Sequence, residues 1–406
     1  MADAQTNAGK GGGYLPLIIA FVLGAAIAAL VLVAMPKQEG QEAVPEATSQ
    51  EQTTVEEGVA EETTEPTGEE KAPLDVAAAF PSWNADSASL AELTTFVEDV
   101  CDPDSPNYKA PEDRIACFDM DGTLICEKAP IYMDYMLLIH RVLDDPTHEA
   151  APDVVEGVEK IRDFAMQGVK NDEYSPIKRA AIAHEFAGMT PEELRAYVND
   201  FMDTVPVVGF DGMTYGESFY KPMLEVVDYL RANDFDVWMV SACEREVTRG
   251  AVERLGIPAD HVIATNVAYT TTGQGDATPH KYTMAQDEQV IMSEPLSSEK
   301  CEKNGKPLAI AREIGKKPLL AFGNSSGDYA MLNYAQGAGG MGLLVVADDE
   351  AREYGNKEKS AEQYDLVEKE SWTAFSMADD WATIYGDGVV KTELPGLAEE
   401  ALDEAA

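Results

Sequence analysis

Asp119 and Asp121 stand one residue apart in the run Phe118-Asp119-Met120-Asp121-Gly122-Thr123-Leu124. The short, mostly apolar stretch Arg114-Ile115-Ala116-Cys117-Phe118 before them reads as a buried strand, so both carboxylates fall at its carboxyl end. Ligands of open parallel sheets bind at such ends. Two carboxylates there can divide a task, one as nucleophile and the other as general acid and base. Their oxygens also suit Mg²⁺, which takes hard ligands at about 2.0–2.1 Å. Read alone, the segment is equally an ordinary Asp-x-Asp-Gly turn after a strand.

Three further signals follow in the chain. Gly323-Asn324-Ser325-Ser326-Gly327-Asp328 comes after the apolar run Leu319 to Phe322 and offers an amide oxygen and a carboxylate at a second strand end. Ser241 follows the run Phe235 to Val240, where a hydroxyl can hydrogen-bond a phosphoryl oxygen. Lys306 precedes a helix opened by Pro307, and a lysine beside a helix start can hold an anion. Each has a plain alternative: a Gly/Ser loop, a serine in a turn, a solvated surface lysine.

The elements that must position these residues follow from apolar periodicity. Besides the first strand, Phe235 to Val240, His261 to Ala264, Leu319 to Phe322 and Gly342 to Ala347 read as strands. Helices are expected over Ile131 to Leu143, Val154 to Gln167, Pro191 to Val205, Glu246 to Leu255 and Pro307 to Ile314, and another opens at Pro222. Before the first strand, Ser89 with Glu92 fits a capping box ahead of Leu90, Leu93, Phe96, Val97 and Val100 at helical spacing. Strands alternating with helices imply an α/β fold with a parallel sheet. The helical block between the first two strands is too long for a crossover and reads as a separate helical cap, about residues 128–218.

The remaining segments place this domain. Tyr14 to Met35 carry no charge and are long enough to cross a bilayer, which takes about 20 apolar residues. A cleaved signal peptide has an apolar core of only about 7–15 residues, and here Ala26-Ile27-Ala28 lies inside the run. An uncleaved single-pass anchor behind a short tail, residues 1–13, is expected. Residues 36–78 are rich in Glu, Thr, Gln and Pro and read as a self-repelling linker. A catalytic domain over 79–390 and an acidic tail over 391–406 complete the chain. Such a spacer suits a domain held outside the cytoplasm at the cell membrane.

A formal net charge of −44 over 406 residues repels nucleic acid and anionic headgroups, so no nucleic-acid partner is expected. It also repels a phosphorylated substrate at long range, so an anion site must carry its own local cation. Five cysteines, an odd number without a CxxC pair, make no disulfide scaffold, although Cys126 and Cys243 follow neighbouring strands and a bond between them is open. The five histidines form no HxH or HExxH pattern, which argues against zinc.

Taken together and in this order, the motifs resemble the haloacid dehalogenase superfamily, whose DxDGT[LV] hallmark reads DMDGTL here. The resemblance spans roughly Ser82 to Asp387. Its nearest flavour is the phosphoserine phosphatase-like and phosphorylcholine phosphatase-like branch, on the stretches YKPMLEVVDYL, VWMVSACEREV and LLAFGNSSGDYAML. The resemblance implies a Rossmann-like core with an inserted helical cap and an Mg²⁺-dependent phosphatase for a small phosphomonoester. Asp119 would attack phosphorus, and Asp121 would serve the leaving alcohol and then water. Ser241 and Lys306 would hold the phosphoryl group, and Thr123 and Glu127 would lie against the substrate. Asp119, Asp121, Asn324 and Asp328 would hold the metal. Many relatives carry Asp where Asn324 stands, so this site has one negative charge fewer. Tyr132 and Tyr135 after the first motif can face the substrate. Tyr215, Phe219 and Tyr220 either stack on a cationic headgroup or pack the cap on the core. A phosphomutase or phosphotransferase would use the same constellation, and a binding module could keep the fold without the chemistry.

Overall fold

The structure, a computed structural model, describes residues 75–167, 174–297 and 299–396. Residues 14–35 lie outside this set, as do most of the linker and the far end of the acidic tail. Among the described residues no helix is long and apolar enough to cross a membrane. In chain order come helices α1 (Val76–Ala79) and α2 (Ala88–Cys101), strand β1 (Ile115–Phe118), and helices α3 (Met133–Ile139), α4 (Pro152–Ala165), α5 (Ser175–Glu185) and α6 (Pro191–Thr204). Next are β2 (Phe210–Asp211), α7 (Lys221–Ala232), β3 (Asp236–Glu244), α8 (Arg245–Glu253), β4 (Val262–Thr265), β5 (Val267–Thr271) and β6 (Val290–Leu296). The chain continues with α9 (Gly305–Glu313), β7 (Leu320–Gly323), α10 (Tyr329–Gln336), β8 (Met341–Val346), α11 (Lys357–Glu370), β9 (Thr373–Ser376) and β10 (Val390–Lys391).

Six strands form one sheet in the order β4-β3-β1-β7-β8-β9. Every pairing in it is parallel. The chain leaves β1 toward β3 and β4 on one side, then returns to lay β7, β8 and β9 on the other. The carboxyl end of β1 is therefore the topological switch point, where the connections diverge and leave a crevice. Side chains alternate between the two faces. Phe118, Met239 and Phe322 enter one core layer, while Cys117, Val240 and Ala321 enter the other. Burial on both faces explains why the strands read as unbroken apolar runs. Phe118 and Phe322 stack with centroids 4.1 Å apart, locking β1 against β7 directly below the switch point.

Two sequence expectations are corrected. The cap of α2 is Ser87, not Ser89 with Glu92. Ser87 has the extended backbone that an N-cap needs, and its hydroxyl accepts the Leu90 N–H at 3.1 Å. Its partner Asp380, 2.7 Å away, ties the helix start to the chain after β9. The second correction is an omission: β5 and β6 form an antiparallel hairpin that the reading did not contain. The hairpin joins the cap helices. Met292 of β6 donates to the Met189 carbonyl at 2.8 Å, and its own carbonyl accepts the Gly188 N–H at 3.0 Å. The roof over the switch point is thus four helices plus a hairpin that enters the chain only after β2, α7, β3, α8 and β4, a placement periodicity alone does not reveal.

Candidate active site

The first motif is held at the sheet by its backbone. Asp119 extends the β1–β7 ladder, its N–H donating to the Phe322 carbonyl at 2.9 Å. The chain then turns on the Met120 carbonyl, which accepts the N–H groups of Leu124 at 2.9 Å and Ile125 at 3.1 Å. Gly122 sits at φ +77° inside this turn, and a Cβ there would lie 1.8 Å from Asn324 Nδ2. Only glycine fits both the conformation and the space. The two ends of the cap are pinned together beside the turn. Cys126 N–H donates to the Ser218 carbonyl at 3.0 Å, and Tyr220 N–H to the Leu124 carbonyl at 2.8 Å.

Lys306 joins the end of β1, the middle of β3 and the start of α10. It is 1% exposed, so the surface-lysine alternative is excluded. Its ammonium lies 2.5 Å from Asp119 Oδ1, 2.6 Å from Asp328 Oδ1 and 2.6 Å from the Val240 carbonyl. Three donors thus meet three acceptors, which satisfies the group completely. Burial works to lower the Lys306 pKa, but the Asp119 and Asp328 charges outweigh it and hold it above the ordinary range. Asp119 moves the other way from a usual carboxylate: burial first, then the Asp328 charge, push it up against the pull of Lys306. Asp121 is raised as well, by burial and then by the neighbouring Asp134 and Asp119 charges. Its Oδ1 is buried and makes no hydrogen bond to protein.

The second loop is braced from three sides. Asp328 Oδ2 accepts the N–H groups of Asn324 at 3.1 Å and Ser325 at 3.0 Å. Gln363 of α11 donates to the Asn324 carbonyl at 2.7 Å, and the Asn324 amide donates to Glu127 at 2.5 Å.

Asp119, Asp121, Glu127, Lys306, Asn324 and Asp328 line one cavity of about 120 Å³. Tyr132 and Tyr135 line it too, as do the cap residues Asp134, Lys178 and Arg179. Lys178 pairs with Asp134 and sits 4.6 Å from the Tyr135 ring centroid, while Arg179 donates to the Ser297 carbonyl at 2.6 Å and so ties α5 to the end of the hairpin. Sequence reasoning missed Asp134, Lys178 and Arg179. A usable signal existed for Asp134: a lone charge inside the otherwise apolar helix Met133–Ile139, all of it buried.

Ser241 and Thr123 do not line the cavity. Both are fully buried; the Ser241 hydroxyl accepts the Cys243 N–H at 3.1 Å, and Thr123 Oγ1 has no partner in the protein. Tyr215, Phe219 and Tyr220 are packing residues, with Tyr215 stacked on Phe201 at 4.9 Å and Tyr220 tilted against Trp381 at 5.4 Å. Cys126 and Cys243 are both free thiols, and Cys117 is buried in β1.

The donor set of these residues bears on Mg²⁺. Every available group is oxygen: the Asp119 and Asp328 carboxylates, the Asn324 amide and the Asp121 backbone carbonyl. Hard oxygen donors of this kind suit Mg²⁺ rather than a softer ion. Among the described residues no cluster of three His, Cys, Asp or Glu side chains is poised to hold a metal, so an amide and a carbonyl must complete any such site. Burial and, after it, the Asp328 charge push Asp119 upward, and a dication would offset both. The residues fit the ion.

Comparison with known proteins follows the same lines. The chain resembles a protein of unknown function from Bordetella pertussis Tohama I at 16% identity, covering 64% of this chain and 97% of that one, with a TM-score of 0.42. It resembles a conserved protein of unknown function from Anaerococcus prevotii at 12% identity, covering 73% and 92%, with a TM-score of 0.44. A phosphoserine phosphohydrolase-like protein from Francisella tularensis is 17% identical over 58% of this chain and 89% of that one, with a TM-score of 0.33. Scores this low carry no weight for function. No curated protein matches the chain significantly. The model of the haloacid dehalogenase-like hydrolases matches residues 116–333, from β1 to α10. That span contains both motif loops, Lys306 and the whole roof, and with it the chain belongs to the haloacid dehalogenase-like hydrolase family.

Proposed function

We propose that this chain is an Mg²⁺-dependent phosphatase that hydrolyses a small phosphomonoester through an aspartyl-phosphate on Asp119. One observation carries the reading: a buried lysine bridges a nucleophile candidate and a second carboxylate in a cavity that also holds a buried, unpartnered carboxylate oxygen. Asp119 Oδ attacks phosphorus, forming the O–P bond as the alkoxide leaves. Asp121, whose pKa is pushed up by burial and then by its acidic neighbours, gives a proton to that alkoxide. It then takes a proton from the water that attacks the aspartyl-phosphate, releasing phosphate and restoring Asp119. Lys306 keeps Asp119 aligned and offsets charge on the transferring group. Asp119, the Asp121 carbonyl, Asn324 and Asp328 would hold Mg²⁺, which would supply positive charge to offset that of the phosphoryl group.

The cavity has room for the phosphoryl group. A water needs roughly 10–15 Å³ of such space, so the cavity of about 120 Å³ takes on the order of ten small atoms, and a phosphate fills about half. The leaving group then lies against the cap. Cap residues Tyr132, Tyr135 and Lys178 lie where it would sit.

The test is phosphate release from a panel of small phosphomonoesters with Mg²⁺. Asp119→Asn is expected to abolish release, and unchanged turnover in that variant would sink the mechanism. A phosphoryl group found on a new acceptor instead of free phosphate would mark a transferase. The sequence supports a second part of the reading: residues 14–35 anchor the chain in the cell membrane, with the domain on the outer side. Protease access to the domain in intact cells checks that side, and protection there would reverse it.

A further inference from the structure

Asn324 and Glu127 stand 197 positions apart in the chain and meet at 2.5 Å. An ionised carboxylate has only acceptors, so the asparagine must turn its NH₂ toward Glu127. The backbone of Asn324 is already engaged, its N–H by Asp328 and its carbonyl by Gln363. The one group Asn324 has left for a cation in the cavity is then its side-chain oxygen. Gly122 makes the meeting possible, since a Cβ there would lie 1.8 Å from Asn324 Nδ2 and 2.4 Å from Glu127 Oε2. The pair also forms a partition. Both residues line the catalytic cavity, and both line a separate void of about 10 Å³ behind it, between Gly122, Tyr220 and Glu353.

We infer that Glu127 is a positioning residue for the metal site: it acts through Asn324, fixing the amide so that its oxygen serves the cation, and it does not itself bind the substrate. The inference rests on the reading of the cavity as an Mg²⁺ site. It explains how a loop carrying Asn324 instead of an aspartate keeps a usable ligand. The Glu127 carboxylate stands one hydrogen bond out and polarises the amide oxygen from behind. Outer partners of metal ligands typically set affinity by about 10–100-fold.

Mg²⁺ binding to the full-length chain, measured by titration calorimetry, decides it. Glu127→Ala is expected to weaken binding by about 10–100-fold, and Glu127→Gln, which still accepts from an amide, by less. In an Asn324→Ala background, Glu127→Ala should change Mg²⁺ affinity less than about twofold, because the partner it acts through is gone. A raised KM for the phosphomonoester in Glu127→Ala at saturating Mg²⁺ would place Glu127 on the substrate and overturn the inference. Thermal melts of each variant show whether the fold is kept, and Glu127→Gln serves where the alanine variant unfolds. Independent losses in the double variant, or an Mg²⁺ affinity untouched by Glu127→Ala, overturn the inference alone. A parent chain that binds no Mg²⁺ overturns the metal reading and this inference with it.

Discussion

Lys306 is where the charge balance of the site is settled. Two carboxylates, one at the end of β1 and one at the start of α10, share its ammonium, and all three groups are buried. Removing one partner of a buried ion cluster typically costs about 3–5 kcal/mol because the remaining charges lose their compensation. Lys306→Met should therefore lower stability by a few kcal/mol when no metal is present. Added Mg²⁺ should restore more of that loss than it adds to the parent, since the dication meets the same two carboxylates. Denaturant melts of both proteins, with and without Mg²⁺, check this. An equal Mg²⁺ shift in the two would mean that the ion and the lysine do not share their partners. The burial of Lys306 was not legible in the chain. Its neighbours Gly305 and Pro307 mark a helix start, but nothing local says that β1, β3 and the start of α10 converge on it. The contact of Glu127 with Asn324 was equally invisible, because it joins residues 197 positions apart. Asp119 and Asp121 were legible because strand, turn and chemistry all lie within one short run.

At the scale of elements, the sequence revealed what is locally repetitive and hid what is not. β1, β3, β4, β7 and β8 are apolar on both faces, so their runs stand out. β9 is four residues with polar ends, and β5 and β6 are partly exposed strands separated by residues 272–289, so neither pattern announces itself. The join between roof and core shows how such elements are held. Cap helix α6 crosses core helix α8 at Gly250, where a Cβ would lie 2.9 Å from Val198 Cβ and 3.1 Å from Arg195 Cα. Arg254 fastens the same pair through Asp203 at 2.8 Å and Asn199 Oδ1 at 3.0 Å. Glu246 of α8, fully buried, reaches the hairpin through the Tyr269 hydroxyl at 2.5 Å. Gly250→Ala should push α6 outward and cost about 1–3 kcal/mol, as overpacking does. Because α5 and the hairpin move with the roof, kcat/KM should fall as well, while Mg²⁺ affinity, set by the core loops, should hold. A variant that loses Mg²⁺ affinity in step with stability would show that roof and metal loops are one unit.

The whole molecule carries a formal charge of −44, and 74 acidic residues face only 30 basic ones. Its basic residues are largely committed: Lys306 and Lys178 in the cavity, Arg245 to Glu313 at 2.8 Å, Arg254 to Asp203 at 2.8 Å. The surplus acid is left to repel itself across the surface. Self-repulsion of this kind destabilises a compact state relative to an expanded one. Its range is the Debye length, about 10 Å at 0.1 M salt and about 3 Å at 1 M. Raising KCl from 0.1 to 1 M should therefore raise the melting temperature of the chain. The buried pairs at the cavity are screened far less, so they should neither drive nor oppose the rise. Mg²⁺ separates the two effects. At matched ionic strength, a specific site makes the Mg²⁺ melt exceed the KCl melt and saturate at low concentration, whereas diffuse screening gives one curve for ionic strength alone. A melting temperature that is flat or falls with KCl would mean that the acidic surface is already relaxed at low salt, and that the stability of the fold is set by its buried pairs and apolar layers rather than by its net charge.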